Sequence, residues 1–195
     1  MYTWGYIKES VLAKLNLSES EANNLGFLSS FIYYANEAMT QICSAVKPNE
    51  TFLELSITKD DDNVNKPITM PEYFISFSDD IIRYKRNEND VYCEVGDEFV
   101  DYYGYNQIIC KYEGIYRIPY KARWFFFTKN LYDTTVIPAP ADICEALPSY
   151  IASQCMKLDD ETKAALYRNE FEMFLARIDD TSFKTQRTFH IGGGW

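Results

Sequence analysis

The chain has 195 residues and a formal net charge of −10, with 47% hydrophobic and 25% charged residues. That length suffices for a core in one domain, or one domain with an inserted lobe. The composition and the lack of any apolar run as long as a bilayer span exclude a disordered tail and a membrane span, and the acidic balance argues against a broad DNA-gripping surface. The first residues, MYTWGYIKES, show no basic stretch followed by an apolar one, so no secretory signal is expected. Sixteen tyrosines and 13 phenylalanines are consistent with oligomerisation, because aromatics serve interface cores as well as folds.

In chain order, Thr3 to Leu15 reads as a helix, with Trp4, Ile7, Val11, Leu12 and Leu15 in one stripe and Thr3 as its cap. Ser18 with Glu21 matches a capping box, and a short helix there should end at Gly26. Phe31 to Val46 is the next helix, carrying Phe31, Tyr34, Ala35, Ala38, Ile42 and Val46 at helical spacing, and Pro48 closes it.

The period then changes. Thr51–Thr58, Tyr73–Phe77, Ile81–Lys85, Val91–Val95, Glu98–Tyr103, Gln107–Tyr112 and Ile115–Ile118 read as short strands separated by Gly, Asp and Asn turns. They should form an antiparallel sheet or small sandwich. Pro119–Ile137 reads as one more strand followed by an exposed loop. Its aromatic run Trp124, Phe125, Phe126 and Phe127 belongs in a core or at an interface, since four such rings facing water would be adhesive.

Helical spacing returns at Asp142–Met156, with Ile143, Leu147, Ile151 and Cys155 on one face and a kink or break expected at Pro148. Leu158–Ile178 is the last long helix. Asp159 and Asp160 can cap it, and Tyr167, Phe171, Phe174, Leu175 and Ile178 line one side. From Asp179 the periodicity is lost. That segment is either a disordered or expression-derived end, or an arm anchored by Phe183, Phe189, Ile191 or Trp195. The expected fold is therefore α+β, with helices over 1–48, a β-rich insertion over 49–137, returning helices over 138–178 and an extended arm over 179–195.

Chemistry is sparse. The single histidine, His190, lies in the aperiodic tail, so no His-dependent triad is expected, and one histidine cannot form a multi-His metal site within one subunit. No phosphate loop, dinucleotide fingerprint or nucleophile elbow is present. Asp60-Asp61-Asp62 lacks the glycine of a calcium loop, Asp79-Asp80 reads as a turn, and Asp159-Asp160-Glu161 as a helix start. The cysteines, Cys43, Cys93, Cys110, Cys144 and Cys155, have no Cys-x-x-Cys spacing and read as buried thiols, with Cys93 and Cys110 possible strand neighbours. Arg83, Lys85 and Arg86, and Lys121 with Arg123, read as surface ion pairing. No enzyme, cofactor or metal is expected.

Two segments carry a resemblance. One is Tyr33-Tyr34-Ala35-Asn36-Glu37-Ala38 followed by Ile42 and Lys47-Pro48. The other is Leu147-Pro148-Ser149-Tyr150-Ile151-Ala152-Ser153-Gln154 followed by Asp160 and Phe171-Glu172. With the helix, β insertion, helix layout they resemble the head-to-tail connector, or adaptor, proteins of tailed bacteriophages, of the type infecting Gram-positive hosts. The resemblance implies a non-enzymatic virion protein that forms a twelve-subunit ring, located in the virion neck or tail and in the host cytoplasm before assembly. It would contact the portal and the next neck or tail protein, and let DNA pass without specific binding. Phe31, Tyr34, Tyr150, Phe171 and Phe174 would pack the bundle, and Phe183, Phe189 and Trp195 would serve an assembly arm. A tail-completion, stopper or baseplate component and a cytosolic protein-binding module are the alternatives.

Overall fold

The computed structural model describes residues 1–58 and 63–185, with side chains through residue 178. The fold is α+β, and the chain divides into a helical unit, Met1–Lys47 with the chain from Trp124, and a β unit, Pro48–Arg123.

In the helical unit, α1 spans Trp4–Leu15, α2 Glu19–Asn24, α3 Phe27–Ala45, α4 Ala141–Met156 and α5 Glu161–Thr185. Local chemistry sets most of these ends. Thr3 accepts the Tyr6 N–H at 3.2 Å, and Ser18 and Glu21 close a reciprocal capping box. Asp160, not Asp159, accepts the Lys163 N–H at 3.0 Å, and that bond draws its carboxyl below the usual range. Gly26, with φ 74°, ends α2's turn and also starts α3, so α3 begins before the expected Phe31.

Helix α4 is the centre of this unit. Eleven of its sixteen residues are buried, too many for one stripe, and it packs against α1, α3 and α5. The helix does not break at Pro148, which is buried inside one continuous helix. Losing the N–H that would reach Cys144 costs about 3 kcal/mol. Full burial of Ile143, Leu147 and Ile151 contributes roughly 1.5–3 kcal/mol each and outweighs it. Helix α5 buries Phe171 and Ile178 but leaves Leu166 and Met173 exposed.

Two further expectations change. The insertion does not extend to residue 137. The stretch after Arg123 lies along the helical unit, where the carbonyls of Asp133 and Thr135 accept the N–H groups of Gly5 and Trp4 at 2.9 Å. Those donors belong to α1's first turn and have no intrahelical partner. The segment 179–185 is not extended, because α5 runs to Thr185. Apolar periodicity reports burial, and its loss at Asp179 does not end a helix that meets no Pro or Gly there.

In the β unit, β1 spans Asn49–Ile57, β2 Pro67–Thr69, β3 Phe74–Phe77, β4 Arg83–Lys85, β5 Cys93–Glu94, β6 Val100–Tyr103, β7 Gln107–Cys110 and β8 Gly114–Ala122. One sheet has the order β1-β8-β4-β5, with β3 also paired to β8; the other has the order β2-β7-β6. All pairs are antiparallel. Strand β8 is longer than the Ile115–Ile118 expected, alternates buried and half-buried residues along its length, and supplies Tyr116, Ile118, Tyr120 and Ala122 to the core. The buried Tyr116 hydroxyl donates to the Tyr112 carbonyl at 2.9 Å and accepts that residue's N–H at 3.2 Å.

A proline is tolerated inside this central strand because of where it falls. Strand β4 pairs with Ile115–Arg117 and β3 with Tyr120–Ala122. The Pro119 carbonyl accepts the Ser78 N–H at 3.3 Å, so Pro119's backbone groups point away from β1 and its missing N–H falls between the two ladders. Gly114 is held at φ 142°, and a Cβ there would strike the Tyr84 ring and the Lys85 carbonyl.

Cys93 and Cys110 are not strand neighbours: Cys93 pairs with Tyr84 in the larger sheet and Cys110 with Val100 in the smaller. All five cysteines are free thiols; Cys93 is exposed and the other four are buried. Burial pushes the thiols of Cys110, Cys144 and Cys155 up to about 12.

Two outcomes are expected. Gly114→Ala should lower the denaturation midpoint, with a loss of at least 1–3 kcal/mol, about what a strained backbone conformation costs. A maleimide counted by mass spectrometry should modify one cysteine, Cys93, in the native protein at mildly alkaline pH, and all five only after denaturation.

Candidate functional site

The most built-up surface of the β unit is the open face of its larger sheet. Register sets Glu54 opposite Arg117, Phe52 opposite Pro119, and Arg83 opposite both Arg117 and Glu94. These residues lie 63 apart in the case of Glu54 and Arg117, so only strand pairing brings them together.

Arg117 is held on three sides. Its Nε bonds Glu54 Oε2 at 2.8 Å, and its guanidinium carbon lies 4.3 Å from the Tyr92 ring centroid and 4.9 Å from that of Phe52. The Tyr92 hydroxyl donates to the same Glu54 oxygen at 2.9 Å. The Arg117 bond, followed by the Tyr92 bond, holds the Glu54 carboxyl below its ordinary range, and the Glu54 bond pushes the guanidinium's value up. Burial, then the bond to Glu54, raises Tyr92.

A groove of about 520 Å³ opens beside this cluster, lined by Glu50, Phe52, Asp79, Asp80, Arg83 and Glu94 among others. Arg117 is already neutralised by Glu54, and Arg83 forms no ion pair among the described residues. The lining therefore holds four carboxylates and one uncommitted guanidinium, with Lys121 set opposite Glu50 by register, and the groove is net acidic. The charge suits recognition of a cationic group. Basic residues the sequence assigned to ion pairing serve here partly as backbone anchors, Arg123 Nη2 donating to the Glu72 carbonyl at 2.8 Å.

In the helical unit the polar junction is Tyr150. Its hydroxyl accepts from Gln41 Nε2 at 2.8 Å and donates to Glu37 Oε2 at 3.3 Å, and Arg168 donates to Gln41 Oε1 at 3.3 Å. Arg168 also pairs with Glu172 and lies over the rings of Tyr150 and Phe171. These contacts tie α3, α4 and α5. Burial, then the Glu37 charge, raises the Tyr150 phenol.

Of the residues named from sequence for bundle packing, Phe31, Tyr150 and Phe171 are buried, while Tyr34 and Phe174 are half-buried. The structure brings Tyr150 and Phe171 edge to face at 4.9 Å; Phe174 instead lies under Arg177. The aromatic run is anchored to the helical unit and does not form an outward patch. Trp124 Nε1 donates to the Lys47 carbonyl at 3.0 Å. Asn36 makes a two-way amide pair with Phe127, whose buried ring lies 5.2 Å from Trp4. Phe125 and Phe126 are half-buried. Phe183 lies on the last turn of α5, and Phe189, Trp195, His190 and Asp60-Asp61-Asp62 lie outside the described residues.

Sequence reading missed the Glu54–Tyr92–Arg117 cluster and a second aromatic surface. At the turn between β6 and β7, where Gly104 has φ 64°, Tyr102, Tyr103 and Tyr105 are 49%, 58% and 82% exposed. The Tyr-Tyr-Gly-Tyr stretch was the available signal. Among the described residues no group of three or more His, Cys, Asp or Glu side chains is placed to hold a metal, and no helix is long and apolar enough to cross a membrane. Compared with known proteins, the chain matches no family model and no curated protein.

The ion-paired carboxylate gives a pH-dependent outcome. Because the folded value of Glu54 lies below its ordinary 4.5, the unfolded chain binds more protons in that window and Glu54 contributes stability above it. Denaturation midpoints of wild type and Glu54→Gln, measured from about pH 7 to about pH 3, should differ most at neutrality. The difference should shrink as pH falls through the folded value.

Proposed function

We propose that this chain is a non-enzymatic virion structural protein, a ring-forming adaptor that joins the portal of a tailed bacteriophage to its tail and lines the DNA channel. The observation that carries the reading is the tyrosine-bearing turn of the β unit, set on a chain whose two ends form a separate helical unit. Phe52, Tyr102, Tyr103 and Tyr105 are aromatic side chains left in water, the residue type enriched at the cores of protein interfaces. The segment resemblance around Tyr33–Ala38 and Leu147–Gln154 supplies the class of partner. Residues of both segments meet in the helical unit, where Tyr150 bonds Glu37.

In this reading the helical units form the body of a ring, with twelve copies expected, and the β turns reach the portal or the next neck protein. The formal charge of −10 suits a wall along which DNA slides without sticking. The protein would occupy the virion neck, after a period in the host cytoplasm.

Electron cryo-microscopy of the particle, or of the protein co-expressed with the portal, tests this. The expected result is a closed ring against the portal. Density further along the tail would assign a tail-completion, stopper or baseplate role instead, and absence from the particle and from every portal, neck and tail complex would sink the reading. Replacing Tyr103 and Tyr105 with Asp should weaken capture by the partner at least about tenfold while leaving the circular dichroism spectrum unchanged.

A further inference from the structure

Strand β1 has nine residues and, among the described residues, pairs on one side only, with β8. No backbone hydrogen bond reaches its other side among the described residues. The parity of that open edge follows from β8. Pro119 directs its carbonyl to Ser78 and Arg123 donates its N–H to the Tyr73 carbonyl, so odd-numbered residues of β8 turn their backbone groups away from β1. Their partners in β1 are the even-numbered residues. Glu50, Phe52, Glu54 and Ser56 therefore present unpaired N–H and C=O groups along the edge, and their side chains lie on the same open face as the acidic groove. A long unpaired edge of this kind is a template for another strand.

The sequence holds a segment that fits it. After Asp180 the chain carries Lys184 and Arg187 and no carboxylate side chain, in a protein of net charge −10. Arg187-Thr188-Phe189-His190-Ile191 alternates, with aromatic and β-branched residues suited to a strand. As a strand, the segment would put Arg187, Phe189 and Ile191 on one face. Glu50 and Glu54 are placed symmetrically about Phe52, so with Phe189 beside Phe52 the Arg187 guanidinium meets a glutamate in either strand direction. A second copy of β1 fits worse, because setting Phe52 against Phe52 puts Glu50 opposite Glu54.

We infer that residues 186–191 of one copy add as a strand to the free edge of β1 in a second copy. The donor's being a neighbouring copy rests on the ring reading; the strand addition does not. The test uses the full chain. Hydrogen exchange followed by NMR over a range of protein concentrations should show the amides of Glu50, Phe52, Glu54 and Ser56 slowing together as concentration rises. The inward amides of Leu53 and Leu55 should stay unchanged. A synthetic peptide covering residues 184–191 should slow the same four amides in dilute protein, and Glu50→Lys should weaken that binding roughly fivefold if the strands run parallel, the direction that sets Arg187 beside Glu50.

Two further peptides, N-methylated at Phe189 or at His190, keep every side chain but remove one backbone donor each. Only one of those donors faces the edge, so loss of binding by one peptide and not the other supports strand addition and reports its direction. Equal binding by both, or no effect of any peptide on the four amides at any protein concentration, overturns it. Protection of those amides that is independent of protein concentration overturns the second-copy donor. The ring reading fails separately, by absence from the particle, whatever the peptides do.

Discussion

Nine consecutive residue pairs between β1 and β8 hold the two ends of the β insertion side by side, from Asn49 opposite Ala122 to Ile57 opposite Gly114. The closure is what lets residues from opposite ends of the chain share one helical unit. Closing a long loop costs chain entropy that grows only slowly with length, about 0.6 kcal/mol for each doubling. A ladder of this extent offsets that cost, and what remains is a fixed exit and return. Within the helical unit, the Trp124 indole N–H bonded to the Lys47 carbonyl and the Asn36 amide paired with Phe127 hold the segment that follows Arg123.

Within the helical unit the corresponding constraint is α4. A helix buried around most of its circumference cannot choose one partner, and it settles α1, α3 and α5 at once. That explains why Pro148 leaves it unbroken: the packing that would be lost on breaking α4 is larger than one hydrogen bond. The residue beside it shows the cost that remains. Ser149 Oγ is buried without a hydrogen-bond partner among the described residues. The Glu37–Tyr150–Gln41–Arg168 network supplies the polar contacts that join the same helices at their edges.

Features written in local chemistry were legible in the sequence. Thr3, Ser18 with Glu21, and Asp160 marked helix starts because a cap depends on residues three apart. The α+β class followed from the change of period after Pro48. What could not be read depended on distant partners. The full extent of β8 is set by what lies on either side of Pro119, and the three-residue β2 is too short to show a period. Trp124 to Phe127 carries no sign of which unit it joins, since that is decided by Lys47 and Asn36 far earlier in the chain. The same holds for the candidate site. Phe52 and the Tyr102–Tyr105 stretch were visible as aromatics, but the clamp on Arg117 is a product of strand register, and a slip of one residue would have moved Glu54 to the other face.

The placement of the β unit's two ends also has a mechanical meaning. Asn49 and Ala122 form the first rung of the ladder, directly beyond the points where the chain enters and leaves. A force that draws Lys47 and Trp124 apart would load this rung alone, then the next, so the sheet would open like a zipper, at lower tension than a geometry that shears all nine rungs together. The Trp124–Lys47 hydrogen bond lies ahead of the first rung and takes that tension before the sheet does. A ladder loaded in this way yields stepwise to separation, rung after rung from Asn49–Ala122 toward Ile57–Gly114.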